Sequence, residues 1–361
     1  MSRLERAMTA LLVLLLATLT SACIFEEEAK TSKELRVAVF GTTSEMLLRT
    51  IVSEAFESLT PCKISFIGGT SRLHLQELRS SEDGRPPFDV VLLDGIIQEV
   101  AAAEGHLERS SELEIPEIDE LLPQAQPRVD GGPAMYFYSV GILYNPGAFV
   151  QAGIPEPKTW GDFWNPALKG HVAVPQIYHA SGIDFVQAAA SVAGGSRGTI
   201  EGLKAGVDHI AKLEPAMVYS SLEPLLKEME AGKIWILPAY SYSAHRWIQQ
   251  GRELAFIHPK DKGFGHVTTI NKVKNTDRDL LANKFISLVL SKGFQYGLAI
   301  ETPFGPVRRD VITPLSRFPR LVERFPCGEK GFSKLFVPHW ETLNELRPSV
   351  EAYWFKHFPS R

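Results

Sequence analysis

Residues 34–41 read ELRVAVFG and residues 42–56 read TTSEMLLRTIVSEAF, and this pair sets the fold. The first run is apolar and ends at Gly41, which predicts a buried strand. In the second, Leu47, Leu48, Ile51, Val52, Ala55 and Phe56 keep helical spacing, with Thr43 or Ser44 as N-cap. The same order repeats downstream. Residues 63–67 (KISFI) predict a second strand, Gly68-Gly69-Thr70-Ser71 a loop, and the residues through Leu78 a helix. Residues 88–94 (FDVVLLD) predict a third strand ending at Asp94-Gly95. Strand, loop and helix in alternation specify an α/β protein with a parallel sheet. In such sheets ligands lie at the carboxyl ends of the strands, so the loops 41–44, 69–71 and 94–95 are candidate ligand contacts.

Further along, residues 123–133 (PQAQPRVDGGP) read as a linker-like break, and residues 135–144 (MYFYSVGILY) as a strand. Tyr136 and Tyr138 fall on one face of that strand. A helix is expected to begin at residues 159–163 (TWGDF), with Ser181 capping another that runs to Ala193. Residues 233–237 (KIWIL) read as a strand, followed by Pro238-Ala239-Tyr240-Ser241-Tyr242 and a helix over 244–250.

The amino terminus carries Arg3 and Arg6, an apolar run from Ala7 to Leu19, small residues at 20–22, and Cys23. That is the layout of a secretory signal peptide, and the apolar run is too short to span a bilayer. Residues 24–33 are polar and acidic, a candidate tether. The chain of 361 residues is long enough for about two domains. A net charge of −4 gives no basic footprint for nucleic acid. Besides Cys23, only Cys62 and Cys327 occur, without zinc-site spacing; in an exported chain they could form a disulfide or remain two thiols. No His-Glu-x-x-His is present, and the Gly-x-Ser-x-Gly match at residues 194–198 (GGSRG) follows an expected helix rather than a strand, so an exported hydrolase is disfavoured.

Several passages resemble one family. Cys23 after small residues resembles the lipobox of bacterial lipoproteins, with one departure: Leu19 stands four residues before the cysteine, and Thr20 holds the place usual for Leu. Residues 140–145 (VGILYN) with 155–160 (PEPKTW), 165–173 (NPALKGHVA), 230–234 (EAGKI), and 277–290 with Thr302-Pro303 behind them resemble, in that order, the extracellular solute-binding proteins of bacterial ABC importers. The branch is that of spermidine/putrescine, ferric-iron and phosphonate binders. The resemblance covers residues 35–315. It implies a two-lobed, type II periplasmic-binding-protein fold with hinge-connected lobes. Lobe 1 would be 34–133 plus 263–325, lobe 2 would be 134–262, and 326–361 a helical tail rich in aromatics (Phe332, Phe336, Trp340, Tyr353, Trp354, Phe355). It further implies residues 1–23 as a lipoprotein signal peptide, lipidation at Cys23, a periplasmic or cell-surface location, an ABC permease as partner, a monomer, and no cofactor, resident metal or catalysis. A ligand-sensing lipoprotein of the same fold is the alternative role.

For the solute, the crossing stretch 263–269 (GFGHVTT) lacks the carboxylate that polyamine members of the family place there. Tyr240 and Tyr242 hold the place of a ferric site but are separated by Ser241, and binding one metal through both is expected to need a turn. Thr42, Thr43, Ser44, Thr70 and Ser71 open helices, where free N–H groups favour anions. Ser181 could act similarly, and His179, His245 and Arg246 could add positive charge. Asp94 could bind an ammonium group, cap Gly95 or only turn the chain. Tyr136, Tyr138 and Tyr178 are candidate walls. The expected solute is small, polar, and anionic or zwitterionic.

Overall fold

The computed structural model describes residues 34–40, 43–81, 85–127, 130–318 and 331–359, with Thr43 and Ser44 as backbone alone. Cys23, Thr42 and Cys327 lie outside the described residues, and so do the leader and tether.

Three parallel strands begin the sheet: β1 (Glu34–Phe40) lies between β2 (Lys63–Gly69) and β3 (Val90–Asp94). Val90 to Leu93 are all buried, as expected of a strand covered on both faces. The connections are helical. Helix α1 starts as Thr43–Leu47, widens into a π-helical stretch Leu48–Ser53 and ends as Glu54–Leu59. Leu48, Val52 and Phe56 face the core, where Phe56 meets Phe285 edge-on at 6.0 Å. Helix α2 (Ser71–Arg79) follows β2, and α3 (Gly95–Ala103) follows β3. Arg36 and Asp89 staple β1 to the start of β3: the fully buried carboxylate accepts from the Arg36 backbone N–H at 2.7 Å and from its guanidinium at 2.8 Å.

Beyond β3 the sheet turns antiparallel. Strand β4 (Ala134–Tyr144) is paired with β9 (Phe264–Lys272), which in turn pairs with β3. The far end of β4 pairs with β7 (Ile236–Tyr240) and β8 (Ala255–Ile257). The order is therefore β2-β1-β3-β9-β4-β7, with β8 also on β4. The two long strands β4 and β9 thus carry the sheet from the β1 side to the β7 side. Gly132 fixes the entry to β4: a Cβ there would lie 1.7 Å from the Ile270 carbonyl oxygen.

On the β7 side, α4 (Pro146–Gln151) follows β4. Two short parallel strands, β5 (Ala173–Pro175) and β6 (Met217–Tyr219), join through a Val172–Ile236 bridge. Helices α5 (Ala180–Val192), α6 (Ile200–Ala211), α7 (Glu223–Glu230) and α8 (Ser241–Gln249) pack around them. Trp160, Phe163, Phe185 and Phe264 form an aromatic core here. Helices α9 (Asp279–Leu290), α10 (Lys292–Glu301) and α11 (Arg309–Leu315) return to the β1 side, and α12 (Trp340–His357) ends the chain.

Four local expectations change. Residues 159–163 form a single 3-10 turn, Trp160–Trp164, closed by a Thr159/Asp162 capping box, because the next residues include Pro166. The 123–133 break is packed rather than loose: Leu122 N–H donates to Val307 O, and Ala125 is buried. The strand expected at 233–237 lies three residues later and contains Pro238, which sits on a short outer strand and pairs only on its β4 side. Helix α5 begins at Ala180 with His179 as N-cap, so Ser181 is inside the first turn and does not cap it. Cys62 is buried, with Sγ 3.5 Å from Lys63 O.

Candidate functional site

A cavity of about 480 Å³ opens where the parallel and antiparallel parts of the sheet meet. The β1 side contributes Phe40, Gly69, Thr70, Ser71 and Asp94, all at strand ends. The crossing strands contribute Tyr136, Tyr138 and Thr268, and Phe304 follows α10. The β7 side contributes His179, residues 220–223, Tyr240, Tyr242, Ser243 and Arg246.

Asp94 ends β3 and occupies the N-cap of α3, yet its carboxylate makes no capping bond to that helix. Instead it accepts from Ser71 Oγ at 2.9 Å and from Tyr138 Oη at 3.1 Å. Ser71 Oγ also accepts from the Asp94 N–H at 2.9 Å. Burial pushes the Asp94 carboxyl above its ordinary range, and the two hydroxyl donors only partly offset this. Ser71 is therefore committed to Asp94. Thr70 caps α2, with Oγ1 accepting from Leu73 N–H at 3.2 Å.

The opposite wall is aromatic. β7 stops at Tyr240 and α8 starts at Ser241 with no intervening residue. This turn brings Tyr240 and Tyr242 face to face, ring centroids 5.2 Å apart and 9° from parallel. A turn is thus present where the pair was expected to need one, although residues two apart share a face on an extended strand too. Tyr138 stands edge-on to both at 5.7 Å, and Tyr136 stacks on Phe304 at 4.1 Å. Burial raises the proton affinity of the Tyr138, Tyr240 and Tyr242 phenols, keeping them neutral.

His179 lies 4.9 Å, ring to ring, from Tyr240, and its Nδ1 is 2.6 Å from Ser181 Oγ. Burial pushes His179 down to about 4, so it is neutral at pH 7 and adds no positive charge. Ser181 is fully buried behind it and does not line the cavity. Arg246 sits at the rim, 3.5 Å from Glu223, whose carboxylate also accepts from Ser221 Oγ at 2.5 Å. Tyr178 is 43% exposed and is not part of the lining; His245 packs edge-on against Phe256, also away from the lining. Among the expected contacts, Thr70, Ser71, Asp94, Tyr136, Tyr138, Tyr240, Tyr242 and Arg246 come together. Thr42 and the side chains of Thr43 and Ser44 fall outside the described residues.

The sequence reading missed Phe40, residues 220–223, Ser243, Thr268 and Phe304. Only Thr268 carried a usable signal: β9 is antiparallel to β4, and register sets it against Tyr136.

The profile of a known family, described as bacterial extracellular solute-binding protein, matches residues 52–318. The chain belongs to this family. Its structure is similar to an ABC transporter protein from Clostridium perfringens ATCC 13124, at 24% identity and TM-score 0.74, covering 89% of this chain and 99% of that one. It is also similar to the PBP MotA from A. tumefaciens B6 in complex with glucopine (15% identity, TM-score 0.72, 90% and 99% covered). A third neighbour is the spermidine/putrescine ABC transporter substrate-binding protein of Streptococcus pneumoniae (15%, TM-score 0.70, 90% and 100%). No curated protein matches the sequence. With a sheet that reverses at β9 and two crossing strands, this solute-binding protein has the two-lobed type II fold of its neighbours. Among the described residues no helix is long and apolar enough to cross a membrane, and no group of three or more His, Cys, Asp or Glu could hold a metal.

Proposed function

We propose that this chain captures a small zwitterionic solute for an ABC importer, holding the solute's amino group at Asp94. The observation that carries the reading is the Asp94 carboxylate: partly buried, beside tyrosine rings, and bonded only to neutral hydroxyls. A carboxylate in that setting binds a proton or a cation, and an ammonium group there also gains from the ring faces of Tyr138, Tyr240 and Tyr242. The acidic end of the solute would face the rim, where Arg246, Thr70 and Ser220 offer donors. The earlier expectation of hydroxyl loops binding an anion is thereby narrowed, since Ser71 already serves Asp94.

Polyamines are the second reading, favoured by one feature: Glu223 puts a second carboxylate on the same cavity. Its pairing with Arg246 removes that charge from competition, which supports the zwitterion. A ferric ligand would use Tyr240 and Tyr242, whose raised proton affinity opposes phenolate formation.

In this reading residues 34–133 with 263–325 form one lobe and 134–262 the other, hinged at β4 and β9. Closure on solute favours the closed population. The protein acts as a monomer without catalysis, tethered through a lipidated Cys23 at the periplasmic or cell surface, and delivers solute to a permease. Thermal shift against amino acids and amino-sugar acids, amine-free organic acids, polyamines and ferric citrate tests it. A ligand at 100 times its Kd stabilises by about 2.7 kcal/mol. Shifts with zwitterions alone support the reading; shifts with amine-free acids alone would sink it. A Cys23→Ala chain that still partitions with membranes would remove the lipid anchor.

A further inference from the structure

Helix α12 reaches elements on both sides of the cavity. On the β1 side, Asn344 Nδ2 donates to Ile96 O at 3.0 Å, and Arg72 Nη2 donates to Glu351 Oε1 at 3.2 Å. On the β7 side the attachment is heavier. Tyr353 Oη donates to Asp208 at 2.9 Å, and His357 Nε2 lies 3.1 Å from the same carboxylate. Trp354, fully buried, donates from Nε1 to Gln176 at 3.0 Å. Arg347 Nη2 donates to Tyr178 O at 3.3 Å.

Arg72 directly follows Ser71, which lines the cavity, and Tyr178 directly precedes His179, which lines it from the other side. Glu351 joins them: it accepts from Arg72 and, at 2.8 Å, from Arg347 Nε. The two cavity edges are thus connected through Arg72, Glu351, Arg347 and the Tyr178 carbonyl. The charge of Arg347 reaches Asp94 and Asp184.

We propose that Arg347 and Glu351 are positioning residues for solute capture, forming a latch on the tail that sets the spacing of the two cavity edges. The inference rests on this cavity being the solute site. The links are unequal, and that gives the latch its direction. The Trp354 end is buried and stays with the β7 side; Arg72 is about half exposed, 47% of its side chain, so the Arg72–Glu351 pair is the one that parts. An exposed pair is weak, which suits a contact that must open for each solute molecule.

The test reads spacing without any solute, so its failure is separable from failure of the solute reading. Spin labels at Gln76→Cys and Lys227→Cys, both exposed positions, with Cys23 and Cys327 replaced by serine, report the distance across the cavity in purified protein. The parent should give one dominant short distance. Arg72→Ala and Glu351→Gln should each raise the longer-distance population, by up to about fivefold, the ratio that about 1 kcal/mol gives. Arg72→Lys, which keeps the charge, should restore the parent distribution. Unchanged distributions in both variants overturn the latch. So does a lowered melting temperature without a distance change, which would make α12 a structural brace only. Arg72 is exposed and not part of the core, so its variants fold even if Glu351→Gln does not.

Discussion

Two carboxylates, Asp184 fully buried and Asp94 partly buried at the cavity, make opposite arrangements. Asp184, inside α5, sits 2.6 Å from His266 Nε2 on β9. Asp94, at the end of β3, has only Ser71 and Tyr138 hydroxyls. Burial raises the proton affinity of both. The first is supplied with a hydrogen-bonding imidazole by the protein itself; the second is left for something to arrive. A buried acid with a built-in partner reads as structure, and one held open by neutral donors beside a 480 Å³ cavity reads as a binding group.

Breaking the first arrangement should cost most. His266→Ala leaves Asp184 buried without its imidazole and is expected to destabilise the protein by about 3–5 kcal/mol, read as a lower urea midpoint. Breaking the second should leave the fold alone. Asp94→Asn removes a desolvated charge, so ligand-free stability should hold or rise, while affinity for an amine-bearing solute falls about 100-fold, about 2.7 kcal/mol. If Asp94→Asn instead unfolds the protein as His266→Ala does, the contrast between the two acids disappears.

Acid sharpens the comparison further. His179 falls from its ordinary value of 6.5 to about 4 on folding, so between those values the unfolded chain binds the extra proton. Its contribution to stability is full above about pH 6.5 and is lost as pH falls toward 4. The denaturation midpoint should decline through that window, and His179→Asn should flatten the decline. Solute affinity should weaken from a higher pH than an ordinary carboxylate predicts, because Asp94 takes up its proton early. The smallest effect belongs to the rim: Arg246→Ala should weaken binding of zwitterions by about threefold to tenfold, in keeping with a half-exposed charge already shared with Glu223. Calorimetric titration measures it, and no loss would move the acidic end of the solute elsewhere.

Much of this was legible in the sequence. The β1, β2 and β3 strands and their helices follow from apolar runs broken at Gly41, Gly69 and Gly95. Those runs put Thr70, Ser71 and Asp94 on one edge. Tyr136 and Tyr138 share a face because strand period is two. What the sequence could not carry were relations set by tertiary packing. The Tyr240–Tyr242 stack depends on a strand ending one residue before a helix begins. The commitment of Ser71 to Asp94 depends on two loops 23 residues apart meeting side by side. The neutrality of His179 depends on burial by neighbours far along the chain. The role of α12 depends on which elements its two ends reach.

The most direct test is a calorimetric titration of the parent and Asp94→Asn with one solute that shifts the parent's melting temperature and with its amine-free analogue. The account predicts that the parent binds the amine-bearing solute far more tightly than the analogue, and that Asp94→Asn abolishes this preference. Equal affinity of the parent for both compounds, or an undiminished preference in Asp94→Asn, would contradict it.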